Sequence, residues 1–299
     1  MIIKPDFLQT GDLVSIISPA GPIDEQYIVS AQRILESWGL SVLIGSYATN
    51  SFGAFAGTDE HRREDLQNAL NNPDVRAIFC ARGGYGAIRV FPFMDYSVFL
   101  NSPKWVIGFS DITVAHAYLN SVHVASVHAA MPINFETVKA ESLQSLHAML
   151  FGTKPVYSFS SSQYNRYGKA TGRLIGGNLS VLQSLRDLSF EYDFSDTILC
   201  IEEVGEYDYH IDRMLQNLKL SGILSRISAL VVGSFSGTKP GNNPFHLSVE
   251  EIICQAVEEY SYPVCFNAPF GHTNINHALQ IGGEYTLESF ENEVILSLL

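Results

Sequence analysis

Positive charge is scarce in this chain. Its 299 residues include 18 Lys and Arg against 31 Asp and Glu, a formal charge of -13. A surface of that sign repels nucleic-acid phosphates and anionic lipid headgroups unless a basic patch intervenes, and no run of Lys and Arg supplies one. Long apolar runs are missing too. No stretch reaches the roughly 18 apolar residues a membrane span needs. The short run Leu13 to Ile17 is too brief and too late for a secretory signal, so a cytoplasmic protein is expected. The four cysteines, Cys80, Cys200, Cys254 and Cys265, lie far apart, three of them inside apolar runs. They read as buried thiols in a reducing compartment, and with no CxxC pair there is no zinc signature. Charged residues amount to only 16% against 46% hydrophobic, so the chain can bury a large core, and its length suits two domains or one large one. It contains no internal repeat and no low-complexity tract.

What is present is alternation. "LVSIISPAG" reads as strand then loop, and residues 24–38 put Ile28, Ala31, Ile34 and Leu35 on one helical face, ended by Gly39. "SVLIGSY" is the next strand, Thr58 caps a helix over "TDEHRREDLQNALNN", and "VRAIFCARGG", "WVIGFS" and "HVASVHAA" follow as strands. Strands spaced by helices predict a mostly parallel sheet covered on both faces, with functional loops beyond the strands' carboxyl ends. Residues 151–168 break the pattern and read as a linker, with an extended edge strand as the alternative, between an N-terminal domain (1–150) and a C-terminal one (169–299). In the latter, "GGNLSVLQSLRDL", "DYHIDRMLQNLKLSG" and "LSVEEIICQAVEEY" read as helices, and "TILCIEEV" and "ISALVVGSFSG" as strands. "ALQIGGEYTLE" carries a Gly-Gly hairpin signal.

Four stretches can carry chemistry. In "VIGFSDIT", Ser110 sits between a strand and a helix, where a hydroxyl projects from a tight turn. Gly108 fits G-x-S-x-G but Ile112 stands in place of the second glycine, and a plain helix N-cap is the competing reading. In "ARGGYGAIRV", Gly83, Gly84 and Gly86 follow a strand and free backbone N–H groups to approach a ligand, as an oxyanion hole requires. No Lys-Ser/Thr follows them and they come after the third strand, which disfavours phosphate binding. Glu202 and Glu203 end an apolar strand, and period-two alternation points them to opposite faces. A metal site from Glu206, Asp208, His210 and Asp212 is disfavoured, since successive acids face different ways and Asp208 reads as a helix cap. His272 lies in a Pro-, Gly- and Asn-rich loop after "YPVCF", a setting for a general base, with His277 its competitor and His128 able to line the same cleft. Ser, then Glu, then His, each after an apolar strand, with a glycine loop upstream, is a full set for acyl transfer. An ordinary α/β-hydrolase, or a non-enzymatic binding protein of two lobes, would share parts of the pattern.

The stretches "SPAGP", "ARGGYGA", "IGFSDIT", "GGNLSVL", "IEEVGEYDYHIDRML" and "FGHTNINHALQIGG", spread over almost the whole chain, resemble the LD-carboxypeptidase (muramoyl-tetrapeptide carboxypeptidase) family, serine peptidases related to microcin C immunity proteins. The resemblance implies an α/β protein with an N-terminal flavodoxin-like domain, doubly wound and mostly parallel, and a strand-rich C-terminal α/β domain. It implies a triad of Ser110, His272 and Glu202, with Glu203 the alternative acid, and an oxyanion hole from the N–H groups of Gly84 and Asp111. It implies no metal and no cofactor, and release of the terminal D-alanine from murein tetrapeptide at an L-to-D bond during cell-wall recycling. A microcin-immunity-type amidase would share the catalytic residues and differ in its pocket. Arg82, beside the glycine loop, is the candidate for the substrate carboxylate. Members often read His-Gly-Pro-Met where this chain has "HAAM" at 128–131, and Glu-Asp at 202–203. The expected partner is a small peptide rather than nucleic acid or membrane, with a homodimer left open.

Overall fold

Apolar strands and amphipathic helices alternate along the first half of the chain and lay down one sheet. In the computed structural model, which describes residues 2–241 and 245–299, β1 (Leu13–Ile17), β2 (Ser41–Ile44), β3 (Val75–Cys80), β4 (Trp105–Gly108) and β5 (Ser126–His128) run parallel. Between them lie α1 (Glu25–Ser37), α2 (Asp59–Asn71), the short α3 (Ser97–Asn101) and α4 (Thr113–Ser121), and α5 (Ala140–Leu150) follows. Ile28, Ala31 and Leu35 of α1 and Leu146 and Met149 of α5 pack on one face, against Val14, Phe79 and Ile107. Leu66 and Leu70 of α2 with Val114 and Leu119 of α4 pack on the other, against Ile78 and Val106. This is the doubly wound arrangement, in which right-handed crossovers put helices on both faces.

The second sheet has seven strands. β6 (Val156–Ser160) and β7 (Gly168–Asn178) precede α6 (Leu179–Ser184), and β8 (Thr197–Val204), α7 (Asp208–Leu220), β9 (Ala229–Ser236), α8 (Val249–Ala256) and β10 (Val264–Cys265) follow. β11 (Leu279–Ile281), β12 (Glu284–Ser289) and β13 (Glu293–Leu298) complete the chain's strands. The order is β10-β9-β8-β7-β12-β13-β6, parallel from β7 to β10 and antiparallel beyond. Tyr192, Leu199, Leu215 and Ile253 continue the same buried core that α2 and α4 share, so the two sheets share one interior on that side, while the α1 and α5 face keeps its own.

Three details depart from the sequence expectations. Residues 151–168 are more than a linker, because Tyr157 and Phe159 turn inward and β6 pairs with β13 as the sheet's edge strand. "GGNLSVLQSL" is not helical throughout. β7 runs on to Asn178, whose side chain caps a helix that starts only at Leu179. The Gly-Gly hairpin does not form: β11 pairs antiparallel with β5 in the first sheet, whereas β12 pairs with β7 and β13 in the second. Gly282 (φ +87) turns the chain between sheets, with its N–H bonded to Leu174 O, and the hairpin is instead β12–β13, closed at Phe290 and Glu293. Tyr285, fully buried, secures the crossing because its hydroxyl accepts from the Gln280 N–H at 2.9 Å. Tyr285→Phe would leave that buried N–H without a partner, so urea unfolding should show a loss of about 1–3 kcal/mol. An unchanged midpoint and slope would contradict this role.

Candidate active site

The strand β4 delivers the serine. After Gly108 and Phe109 the backbone turns through a left-handed Ser110 (φ 63) into a 3-10 turn, Ser110–Ile112, and then α4. A side chain bearing a Cβ pays of order 1–3 kcal/mol for that conformation, and its effect is to lift the hydroxyl off the turn. Neither the 3-10 turn nor α4 has a side-chain cap, so the N-cap reading of Ser110 does not hold. Gly108 is needed because a Cβ there would lie 2.9 Å from both Cγ atoms of Ile112. The close approach that a second glycine would give at position 112 comes from another loop: a Cβ on Gly83 would lie 2.9 Å from Ser110 Cβ and 3.1 Å from its Oγ.

That glycine loop is seated on the elbow. The Gly83 carbonyl accepts from Gly21 N at 2.9 Å, which joins it to the "SPAG" loop after β1. The buried Asp111 carboxylate accepts from Ala87 N at 2.8 Å. Burial raises the Asp111 pKa to about 6, against the lowering effect of the loop amides at Ala87 and Gly86. Gly84 (φ +97) and Gly86 (φ +133) hold conformations that favour glycine. Arg82 is exposed at the start of this loop, with Nη1 donating to Pro22 O at 2.7 Å.

On the second sheet the two glutamates part company. Glu202 is fully buried and its Oε2 lies 2.6 Å from His272 Nδ1. The Glu203 side chain, also buried, accepts from Asn178 Nδ2 at 3.1 Å, Ser180 N at 2.8 Å and its neighbour Val204 N at 2.8 Å. They do face opposite ways, as alternation requires, but both are buried, Glu203 against the start of α6 and Glu202 against the His272 loop. A register shift against β9 between Ile201 and Glu203 marks the place. His272 is held from behind as well: Ser236 Oγ donates to its carbonyl at 3.0 Å, and Gly271 N donates to Asn276 Oδ1 at 3.0 Å. Gly271 (φ +114) admits no side chain, since a Cβ would lie 2.4 Å from Ser234 Oγ and 3.1 Å from Glu202 Oε2.

Phe109, the residue before Ser110, lies beside the histidine loop, with its ring centroid 4.7 Å from that of His272. A second tie joins the sheets. Asn178 N donates to Thr113 Oγ1 at 3.0 Å, and a Cβ on Gly177 would lie 2.4 Å from the same oxygen. Since Asn178 is the register partner of Glu202, the helix that begins at the serine elbow rests directly beside the strand that carries the acid.

His128 is fully buried against Phe109 and Phe270, and burial, with His116 and His272 nearby, pushes its pKa well below the ordinary imidazole value, so it is neutral. His116 bonds Ser126 Oγ and Gly108 O, and burial lowers its pKa to about 4. His277 packs on Tyr157 and His210 pairs with Glu206. Asp208 is the first residue of α7, with Tyr207 at the cap position. Among the described residues no three His, Cys, Asp or Glu side chains cluster to hold a metal. One contributor went unread in the sequence: Arg62, which is wholly buried and bonded to Pro19 O and Gly86 O. Its signal was positional, because Arg62 falls on the same helical face as Leu66, Ala69 and Leu70, where a charge has to be explained.

A doubly wound sheet and a second mixed sheet, with a strained serine turn on one and a carboxylate-bound histidine on the other, define a two-domain α/β protein with hydrolase-type site chemistry. The chain belongs to the LD-carboxypeptidase family: residues 14–129 match its N-terminal domain and residues 171–287 its C-terminal domain. It is 33% identical to a putative carboxypeptidase of Synechocystis over 96% of this chain and 94% of that protein. It is 31% identical to a probable murein peptide carboxypeptidase of Bacillus subtilis over 98% and 94% respectively. The structure is similar to that of muramoyltetrapeptide carboxypeptidase from Oxalobacter formigenes (TM-score 0.88, 29% identity, 96% of this chain and 98% of that one). The microcin C7 self-immunity protein MccF in complex with aspartyl sulfamoyl adenosine shares the fold (TM-score 0.87, 19% identity, 100% and 99%).

Gly271→Ala should push the histidine loop off Glu202 and lower turnover of the family's peptide substrates by at least about tenfold. Wild-type turnover in the folded variant would show that the close approach is dispensable. Asp111 gives a pH dependence. Its pKa is higher in the folded chain than the ordinary 3.8, so its protonated form favours folding. That contribution is complete below the ordinary carboxylate range and is lost as pH rises through about 6. The melting-temperature advantage of wild type over Asp111→Asn should therefore shrink between pH 4.5 and 7.5, and a constant difference would refute the assignment.

Proposed function

We propose that this protein is a serine LD-carboxypeptidase that releases the terminal D-alanine of murein tetrapeptide, with Ser110 as nucleophile, His272 as general base and Glu202 as the orienting acid. The observation that carries the reading is the 2.6 Å hydrogen bond from buried Glu202 to His272 Nδ1, with the ring of Phe109 beside the imidazole. With Nδ1–H committed to the carboxylate, the lone pair is on Nε2, and Nε2 is the atom that takes the Ser110 proton. The hydroxyl oxygen attacks the carbonyl preceding the terminal D-residue, and the tetrahedral intermediate collapses to an acyl-enzyme as Nε2–H protonates the departing amine. Water, deprotonated by the same nitrogen, then frees Ser110. The N–H groups of Gly84 and Asp111 stabilise the oxyanion, a contribution worth about 3–4 kcal/mol per donor in comparable sites.

The substrate ends in a carboxylate, which an acidic protein must meet locally. Arg82 beside the glycine loop supplies that charge. The names of relatives as murein peptide carboxypeptidases support a role in murein peptide turnover, and we assign that role to the cytoplasm. A second reading, an amidase acting on aminoacyl-nucleotide analogues, has the MccF complex with aspartyl sulfamoyl adenosine in its favour. It differs in pocket, not in catalytic residues.

The test is hydrolysis of murein tetrapeptide, followed by mass spectrometry and compared with an aminoacyl sulfamoyl adenosine. Ser110→Ala and Glu202→Gln should lower turnover by about 10³-fold or more and at least 10²-fold respectively. Glu203→Gln, by contrast, should act mainly on stability. Near-normal tetrapeptide hydrolysis by Ser110→Ala would remove the nucleophile, and preference for the adenylate analogue would install the second reading.

A further inference from the structure

We propose that Arg62 is a positioning residue for catalysis: its buried guanidinium ties the 83–87 turn to the loop after β1 and, together with the Gly21 N–H on Gly83 O and the Asp111 carboxylate on Ala87 N, fixes the direction of the Gly84 amide. The inference rests on the reading of that amide as an oxyanion donor.

The turn cannot hold itself. Gly84 and Gly86 both have positive φ, and Tyr85 between them is 54% exposed. A loop with that freedom leaves its amide directions to outside contacts, and an oxyanion hole works only when its donors are fixed beforehand. Two outside contacts are the Gly21 N–H on Gly83 O and the Asp111 carboxylate on Ala87 N. The third is Arg62. Its Nη1 donates to Gly86 O at 3.0 Å and to Pro19 O at 2.8 Å, so one nitrogen joins the glycine turn to the loop after β1. Nη2 pairs with Asp59, which also receives Arg89, and the Phe55 ring covers the guanidinium at 4.7 Å. The fit leaves no slack, because a Cβ on Gly86 would lie 2.3 Å from Nη1.

A purely structural role explains this poorly. Position 62 lies on the apolar face of α2, where an aliphatic residue would pack without desolvating a cation. Burying a guanidinium costs several kcal/mol before its bonds are counted. Here two of those bonds go to backbone carbonyls in loops beyond the carboxyl ends of β1 and β3, and one of these loops touches Ser110. The planar fork delivers several donors in fixed directions, which a lysine cannot do.

The experiment compares Arg62→Met, Arg62→Lys and wild type for tetrapeptide hydrolysis. It also measures their affinity for a phosphonate peptide that mimics the tetrahedral intermediate, and, in a Ser110→Ala background, for the uncleaved tetrapeptide. For Arg62→Met, kcat and phosphonate affinity should fall together by about tenfold or more, while KM and tetrapeptide affinity stay within about threefold. Arg62→Lys should lie between. The proposal is overturned if kcat of folded Arg62→Met stays within about twofold of wild type, or if ground-state affinity falls in step with kcat. Should Arg62→Met fail to fold, Arg62→Lys decides alone, and unchanged kcat there overturns the proposal. If Ser110→Ala abolishes hydrolysis while the Arg62 variants keep it, this inference fails and the proposed function stands. If Ser110→Ala itself keeps hydrolysis, the function fails first.

Discussion

A carboxylate at the centre of a parallel sheet has to be paired, and the Glu202–His272 hydrogen bond is how this fold meets that demand. Glu202 is fully buried on β8, where an unpaired charge would cost several kcal/mol. The bond joins residues 70 positions apart, and the surroundings are built to let it form. Gly271 gives up its side chain so that the loop can approach. The register shift at Glu202 adjusts the strand, and Ser236 holds the His272 carbonyl. The buried Glu203 next to it does different work, tying the start of α6 to β8 through Asn178 and Ser180. One strand end thus carries an acid bonded to the histidine loop and an acid bonded to the start of α6, separated by the pleat.

Much of this was legible in the residues. The parallel first sheet, with its helices, followed from the alternation of apolar runs and amphipathic stretches. Ser110, the Glu202–Glu203 pair and His272 drew notice because each lies at or after the end of an apolar strand, and the choice of Glu202 over Glu203 came from the family resemblance. The illegible parts share a cause, namely pairing between residues distant in sequence. Gly282 and Gly283 look like a hairpin turn locally, yet β5 and β7 compete successfully for the flanking strands, and the glycines become the crossing between sheets. "GGN" looks like the lead-in to a helix, but a Cβ at Gly176 would lie 1.9 Å from Cys200 O and one at Gly177 2.4 Å from Thr113 Oγ1. Those glycines answer to β8 and α4, which no local window contains. Arg62 was hidden because a charged residue in a helix is ordinarily a solvated one.

The serine elbow shows how a departure from a local pattern is absorbed. G-x-S-x-G places both small residues in one stretch, whereas this chain has Ile112 at the second position. Ile112 is buried and fills core space beside Gly108. The room near the hydroxyl is then supplied by Gly83 from the loop after β3, which seats that loop directly on Ser110.

The serine turn belongs to the first sheet and the His272 loop starts from the second, so a small shift of one sheet would change their separation. The loop that bears His272 answers that risk by its anchoring. It leaves β10 in the second sheet and ends in β11 in the first, so each sheet holds one end. Between those ends, Asn274 O accepts from Lys139 N, Asn276 N donates to Ser142 Oγ, and Ala278 N donates to Ser145 Oγ, all on α5 or its approach. The Thr113–Asn178 bond repeats the lock on the serine side. Relative motion of the sheets would have to break a strand pairing and these bonds together. The placement of the His272 loop relative to the serine turn is therefore set by the whole fold, and the strand that crosses between the sheets helps to set it.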